Sequence, residues 1–176
     1  MSFDLQPILK GDLLELRPLR PEHWEQHPVR DRYKEEVFKE FFREALESGG
    51  ALIAVDARDG RVVGSSRFHG YDQGKSEIEI GWTFLARSYW GGIYNREMKQ
   101  LMLRHAFRFV NSVIFLVVGP QNLRSQKAIE KIGGVRIGSR PDAAGRDSLV
   151  YQIVATKRGP EGFGRSPSGL REESKF

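Results

Sequence analysis

The sequence predicts a single α/β (α+β) domain over residues 1–156. Its core is a mixed, mostly antiparallel sheet of six to seven strands with helices on both faces. Three observations predict this. Short β-rich segments, several alternating with a period of two, recur up to residue 84, and the last three are joined by turns that suit only antiparallel neighbours. The apolar period then lengthens to helical spacing over Asn95–Val110. A strand on each side of that helix requires a right-handed crossover, and so one parallel pair.

The elements follow in order. Leu13–Leu19 reads as a first strand, with Leu14, Leu16 and Pro18 alternating against polar residues. Pro21–Gln26 is a short helical turn. Asp31–Glu47 is a helix whose Val37, Phe38, Phe41, Phe42, Ala45 and Leu46 share one stripe, and Ser48-Gly49-Gly50 stops it. Ala51–Val55 and Arg61–Phe68 flank Asp59-Gly60, a hairpin signal. After a turn at Tyr71–Gly74, Ser76–Phe84 alternates, with Ile78, Ile80, Trp82 and Phe84 on one face and Glu77, Glu79, Gly81 and Thr83 on the other. Beyond the helix at Asn95–Val110, Val113–Val118 is a continuous apolar run, as in a strand covered on both faces. Asn122–Ile132 is a helix capped by Asn122 and stopped by Gly133-Gly134. Val135–Ile137 and Leu149–Val154 close the sheet, and residues 157–176 read as a disordered tail.

Composition narrows the function. The chain of 176 residues suits one domain with a sizeable core. It has no cysteine, which excludes disulfides, thiolate metal sites and a cysteine nucleophile. Its four histidines form no metal spacing, so no metal is expected. His69, at the end of a strand, and His105, within a helix, read as structural. No leader and no membrane span are expected, which points to the cytoplasm. Lys and Arg number 28 against 23 Asp and Glu, a net charge of +5. That excess suits either a polyanionic cofactor or a nucleic acid, and its scatter along the chain argues against nucleic acid.

The segment Ile80–Glu97 runs from a strand through Gly91-Gly92 into a long helix. Glycines let a ligand approach the backbone, and a helix start presents unpaired amides with a positive dipole end. The same pattern also fits a tight turn with no ligand.

Ile80-Gly81-Trp82, Tyr89-Trp90-Gly91 and Glu97, followed by Asn122-Leu123-Arg124-Ser125 and Lys131-Ile132-Gly133, resemble the two acetyl-CoA motifs of the GNAT superfamily of N-acetyltransferases. The branch that includes the ribosomal-protein N-terminal acetyltransferases is the most similar. The resemblance covers residues 10 to 155. It implies that the strands at 76–84 and 113–118 are parallel and splayed, with the pantetheine arm of acetyl-CoA between them. Thr83, Phe84 and Leu85 would meet that arm. Trp90, Gly91, Gly92, Ile93, Tyr94 and Asn95 would meet the pyrophosphate, and Asn122 and Ser125 would orient the cofactor. Arg87, Arg96 and Arg124 are nearby cations. The loop departs from the family pattern at Ile93 and Asn95, where a glycine and a small residue are usual.

The implied activity is acetylation of a primary amine, on a peptide or protein N-terminus or a small molecule, by direct attack in a ternary complex. The departures motivate the alternative of a non-catalytic, CoA-binding regulatory module on the same fold. The acceptor must lose a proton before it attacks, and Glu79, then Glu77, are the candidate bases. A backbone amide near Thr83 or Phe84 is the candidate oxyanion donor, and Ser125 the candidate partner of the leaving thiolate. A homodimer is expected only on general frequency.

Overall fold

The computed structural model describes residues 2–28 and 34–156. Eight strands form one sheet: β1 (Leu9–Lys10), β2 (Leu14–Pro18), β3 (Ala51–Asp56), β4 (Val62–Asp72), β5 (Glu77–Leu85), β6 (Ser112–Val118), β7 (Val135–Pro141) and β8 (Asp147–Val154). Their spatial order is β1-β2-β3-β4-β5-β6-β8-β7. All neighbours are antiparallel except β5 and β6. The eighth strand beyond the predicted six to seven is β1, whose two residues are too few to carry an alternation. Three helices complete the fold: α1 (Glu35–Glu47), α2 (Ile93–Ala106) and α3 (Leu123–Glu130). Among the described residues no helix is long and apolar enough to cross a membrane.

The helices cover the sheet unequally. Phe38, Phe42 and Ala45 of α1 bury against Leu19, Ala51, Ile53 and Val55. Val37, placed on that stripe by the sequence pattern, is instead exposed. Met98, Leu101 and Met102 of α2 and Ile129 of α3 pack on the opposite face with Leu14, Leu16, Leu52, Phe68, Ile78, Ile80 and Phe115. Helix α2 starts two residues earlier than its apolar period suggests and ends at Ala106. Phe109 and Val110 follow it in a turn that leads to β6, because Phe107 and Val110 close their amides on Leu103 and Ala106. The predicted start of the first helix at Asp31–Tyr33 and the tail at 157–176 lie outside the described residues.

Strand β5 does not alternate throughout. Ser65 pairs with Phe84 and Arg67 with Gly81, so two residues of β5, Trp82 and Thr83, oppose the single Ser66. This is a β-bulge, and Trp82 sits in it at φ 51. The extra residue exchanges faces. Trp82 and Phe84 turn to the α1 side, with Arg67 and with the α1 cluster, while Thr83 turns to the α2 side. The sequence alternation had put Trp82 and Phe84 with Ile78 and Ile80.

One carboxylate fastens α2 to the far edge of the sheet. Glu97 accepts hydrogen bonds from the amides of Asp12, Leu13 and Leu14 at 2.9, 2.9 and 2.7 Å. A Cβ on Gly11 would lie 2.7 Å from that carboxylate, so any larger residue there would have to displace it from its three donors. Glu97→Ala leaves those donors without their acceptor and is expected to cost about 2–3 kcal/mol in urea unfolding, given the penalty for orphaned hydrogen-bonding groups. A loss below about 0.5 kcal/mol would show that solvent replaces the carboxylate fully.

Candidate active site

The site begins where two strands part. β5 and β6 pair only at Glu77–Ser112, Ile78–Val113 and Glu79–Ile114. From Ile80 to Leu85 the edge of β5 faces open space, while β6 stays paired to β8 along its whole length. A cleft of about 1060 Å³ occupies the gap, walled by β5, β6, α3 and the start of α2.

The mouth of the cleft is the helix start. Gly91 and Gly92 stand at φ 121 and 105, a region closed to other residues. The first backbone bond closing α2 runs from the amide of Arg96 to the carbonyl of Gly92. The amides of Gly91, Gly92, Ile93, Tyr94 and Asn95 donate to no acceptor among the described residues. Those amides, with the positive end of the helix dipole, form an anion cradle. The turn before it is fixed from below. The Tyr89 hydroxyl donates to buried Asp56 at 2.7 Å, and the Trp90 indole nitrogen donates to the Leu85 carbonyl at 2.9 Å. The Arg58 side chain and amide, then Tyr89, hold the Asp56 carboxyl well below its usual range.

Of the residues implicated by the sequence, Thr83, Phe84, Leu85, Trp90, Gly91, Gly92, Ile93, Asn95, Asn122 and Ser125 all line this cleft. Tyr94 does not, because its ring packs against Tyr89 at 4.9 Å. It can offer only its amide. The side chain of Asn122 caps α3 by accepting from the Ser125 amide at 3.2 Å. Of the nearby cations, Arg96 and Arg124 line the cleft, and Arg124 stacks 3.7 Å from the Trp90 ring centre. Arg87 stays outside it, 6.0 Å from the centre of the same indole.

The two glutamates lie apart from the cleft. Glu77 sits at the paired end of β5 and accepts from the Ser112 hydroxyl at 3.4 Å. Glu79 is half-buried on the α1 face, at the last pair before the strands part. Burial raises the pKa of its carboxyl, with Arg140 opposing and Asp142 reinforcing. A carboxylate so raised is better suited to take a proton than an exposed one.

Sequence reasoning missed Lys99 and Arg67. Lys99, on α2, is 5% exposed and lines the cleft. It donates to the Thr83 hydroxyl, which also meets Ser66 at 2.9 Å, and its ammonium lies 5.3 Å from the Phe115 ring centre. Burial pushes its pKa down to about 7. The signal was present, since Lys99 falls between Asn95 and Met102 on the inward face of the helix. Among the described residues no cluster of three or more His, Cys, Asp or Glu could hold a metal.

A parted parallel pair with an open helix start at its mouth is a cleft shaped for an extended ligand with an anionic end, and comparison with known proteins gives its family. The GNAT acetyltransferase domain model matches residues 5–135, and the chain belongs to that family. Solved structures share the fold. A T. thermophilus protein described as a "putative acetyltransferase" is 26% identical, with 88% of this chain and 91% of that one covered at a TM-score of 0.70. The GNAT-family acetyltransferase from Bacillus anthracis is 23% identical, with 84% and 98% covered at 0.69. A Vibrio cholerae protein described as a "putative ribosomal-protein-serine acetyltransferase" is 12% identical, with 88% and 100% covered at 0.71. No curated protein matches the chain by sequence.

Lys99 makes a pH prediction. An unfolded lysine titrates near 10.4, whereas here the group titrates near 7. Between those values the unfolded chain holds a proton that the folded chain lacks, so this group makes stability rise with pH across that window and leaves it flat below. Lys99→Met should melt higher than wild type at pH 7, and the gap should shrink by pH 10. Thermal melts at both pH values check this, and a gap independent of pH would mean that the ammonium is solvated.

Proposed function

We propose that the protein is an acetyl-CoA-dependent N-acetyltransferase that modifies a primary amine by direct attack in a ternary complex. The observation that carries this reading is the cleft between β5 and β6, ending at the uncapped amides of Gly91–Asn95. The pantetheine arm lies along the open edge of Thr83–Leu85, and the pyrophosphate meets the cradle. The net positive charge and the cleft-lining Arg96 and Arg124 favour a polyanionic cosubstrate.

The chemistry follows from the groups around the parting point. The acceptor amine adds to the thioester carbonyl carbon as its proton passes, through water, to Glu79. The carbon–sulfur bond then breaks, and the thiolate takes up a proton. A backbone amide at the bulge meets the transient oxyanion. Ser125 donates a hydrogen bond toward the departing sulfur. Lys99, beside Thr83, adds positive charge to the same wall while it stays protonated.

Incubation with acetyl-CoA and a broad panel of amines and peptide N-termini should release free CoA. Silence across the panel with CoA binding intact would instead favour a regulatory CoA-binding module. Glu79→Gln should lower turnover roughly 10- to 1000-fold, and unchanged kinetics would remove Glu79 from the mechanism. Gly91→Val should weaken CoA binding in calorimetry, because a branched residue cannot hold φ 121. Wild-type affinity in that variant would place the cradle elsewhere.

A further inference from the structure

A second buried cation lies on the opposite face of β5 from Lys99, and no described residue hydrogen-bonds or ion-pairs with it. Arg67, on β4, is 5% exposed. Its Nε is enclosed and has no hydrogen-bond partner, and no hydrogen bond or ion pair joins its guanidinium to any described residue. The Ser65 hydroxyl, two residues away on the same face, is also enclosed and without a partner. A buried guanidinium stays charged, and leaving it unanswered is costly. Burial lowers its pKa, and Glu44 on α1 opposes that only at a distance.

The surroundings hold the group in place. The bulge swings the Trp82 indole over the guanidinium, 4.5 Å from carbon to ring centre, and His69 packs against the same indole at 5.2 Å. A cavity of about 10 Å³, with room for roughly one water-sized oxygen, touches Arg67, Ser65, His27 and Trp82. Trp82 holds a left-handed conformation in this arrangement, which a residue other than glycine adopts only where its surroundings impose it.

We propose that Arg67 binds the anionic group of the acetyl acceptor, so that the acceptor is a small zwitterion, such as a free amino acid, with a carboxylate close to its primary amine. The register places the complementary charge nearby. Arg67 pairs with Gly81 and His69 pairs with Glu79, so Arg67 and Glu79 are diagonal neighbours on one face. They do not pair with each other, and the charges acting on Glu79 are those of Arg140 and Asp142. A Cβ on Gly81 would lie 3.4 Å from a Glu79 carboxylate oxygen, so the glycine leaves room beside that group. An ammonium directed to Glu79 and a carboxylate directed to the open side of the Arg67 guanidinium would answer both charges together. This assignment rests on the reading of Glu79 as the base.

The test uses the full chain and two independent readouts. Calorimetry and CoA release are followed with free amino acids, with their carboxamides and with aminophosphonates. At least one free amino acid should bind and react, with its carboxamide roughly 100-fold weaker, as expected when a buried charge loses its partner. Arg67→Met should raise KM for the acid by a similar factor, leave the carboxamide unchanged and leave CoA affinity intact. Arg67→Lys should restore part of the preference. Amino acids that bind in an Arg67-dependent way without CoA release would uphold this site while removing the acetyltransferase reading. The site is refuted if wild type treats acids and carboxamides alike, or if neither free amino acids nor aminophosphonates bind. Preference for the aminophosphonate would keep the anion site but reassign its ligand from carboxylate to phosphonate or phosphate. The wild-type comparison needs no variant, so a misfolded Arg67→Met does not blunt it.

Discussion

The structure depends on the early end of pairing between β5 and β6. Parallel strands in a covered sheet normally stay bonded, because an unmet backbone group in the interior is costly. Here the contact stops after Glu79 and Ile114, and the edge from Ile80 to Leu85 is left with its donors and acceptors facing a cleft. Such an edge offers an extended ligand the same donors and acceptors it would offer a neighbouring strand. The anion cradle at the start of α2 gains its use from this separation, since it stands at the end of the same open edge.

The bulge at Trp82 links the two faces of β5. One inserted residue turns Thr83 toward α2, where it receives the Lys99 ammonium, and Trp82 toward α1, where it covers Arg67. Two buried cations, neither with a carboxylate bonded to it among the described residues, therefore flank a single irregular strand. Packing alone does not call for either charge, and a hydrophobic residue of similar size would fill each position without the desolvation cost.

Much of this was legible in the sequence. The change of period at Asn95, the apolar run that follows the helix and the Asn122 cap sufficed for the order of elements and the parallel pair. Three features were hidden, for physical reasons. β1 is two residues long, and the turn that follows it is held by Glu97, a residue distant in sequence. The bulge leaves no mark on a period-two pattern that also fits an unbroken strand, so Trp82, Thr83 and Phe84 were placed on the wrong faces. Arg67 was invisible for a related reason. An arginine in a strand reads as exposed unless its neighbours are known, and its isolation is a property of the packed state. The family resemblance supplied the roles expected of Thr83–Leu85 and Gly91–Asn95, which spacing alone left open between a ligand loop and a plain turn.

Glu97 has one further consequence. It lies one turn past the glycines on α2, yet it grips backbone at the opposite margin of the sheet. The orientation of the open amides at the helix start is thus referenced to residues 12–14, three strands away from the cleft wall at β5. Any displacement of residues 12–14 is therefore transmitted to the aim of those amides through a single carboxylate.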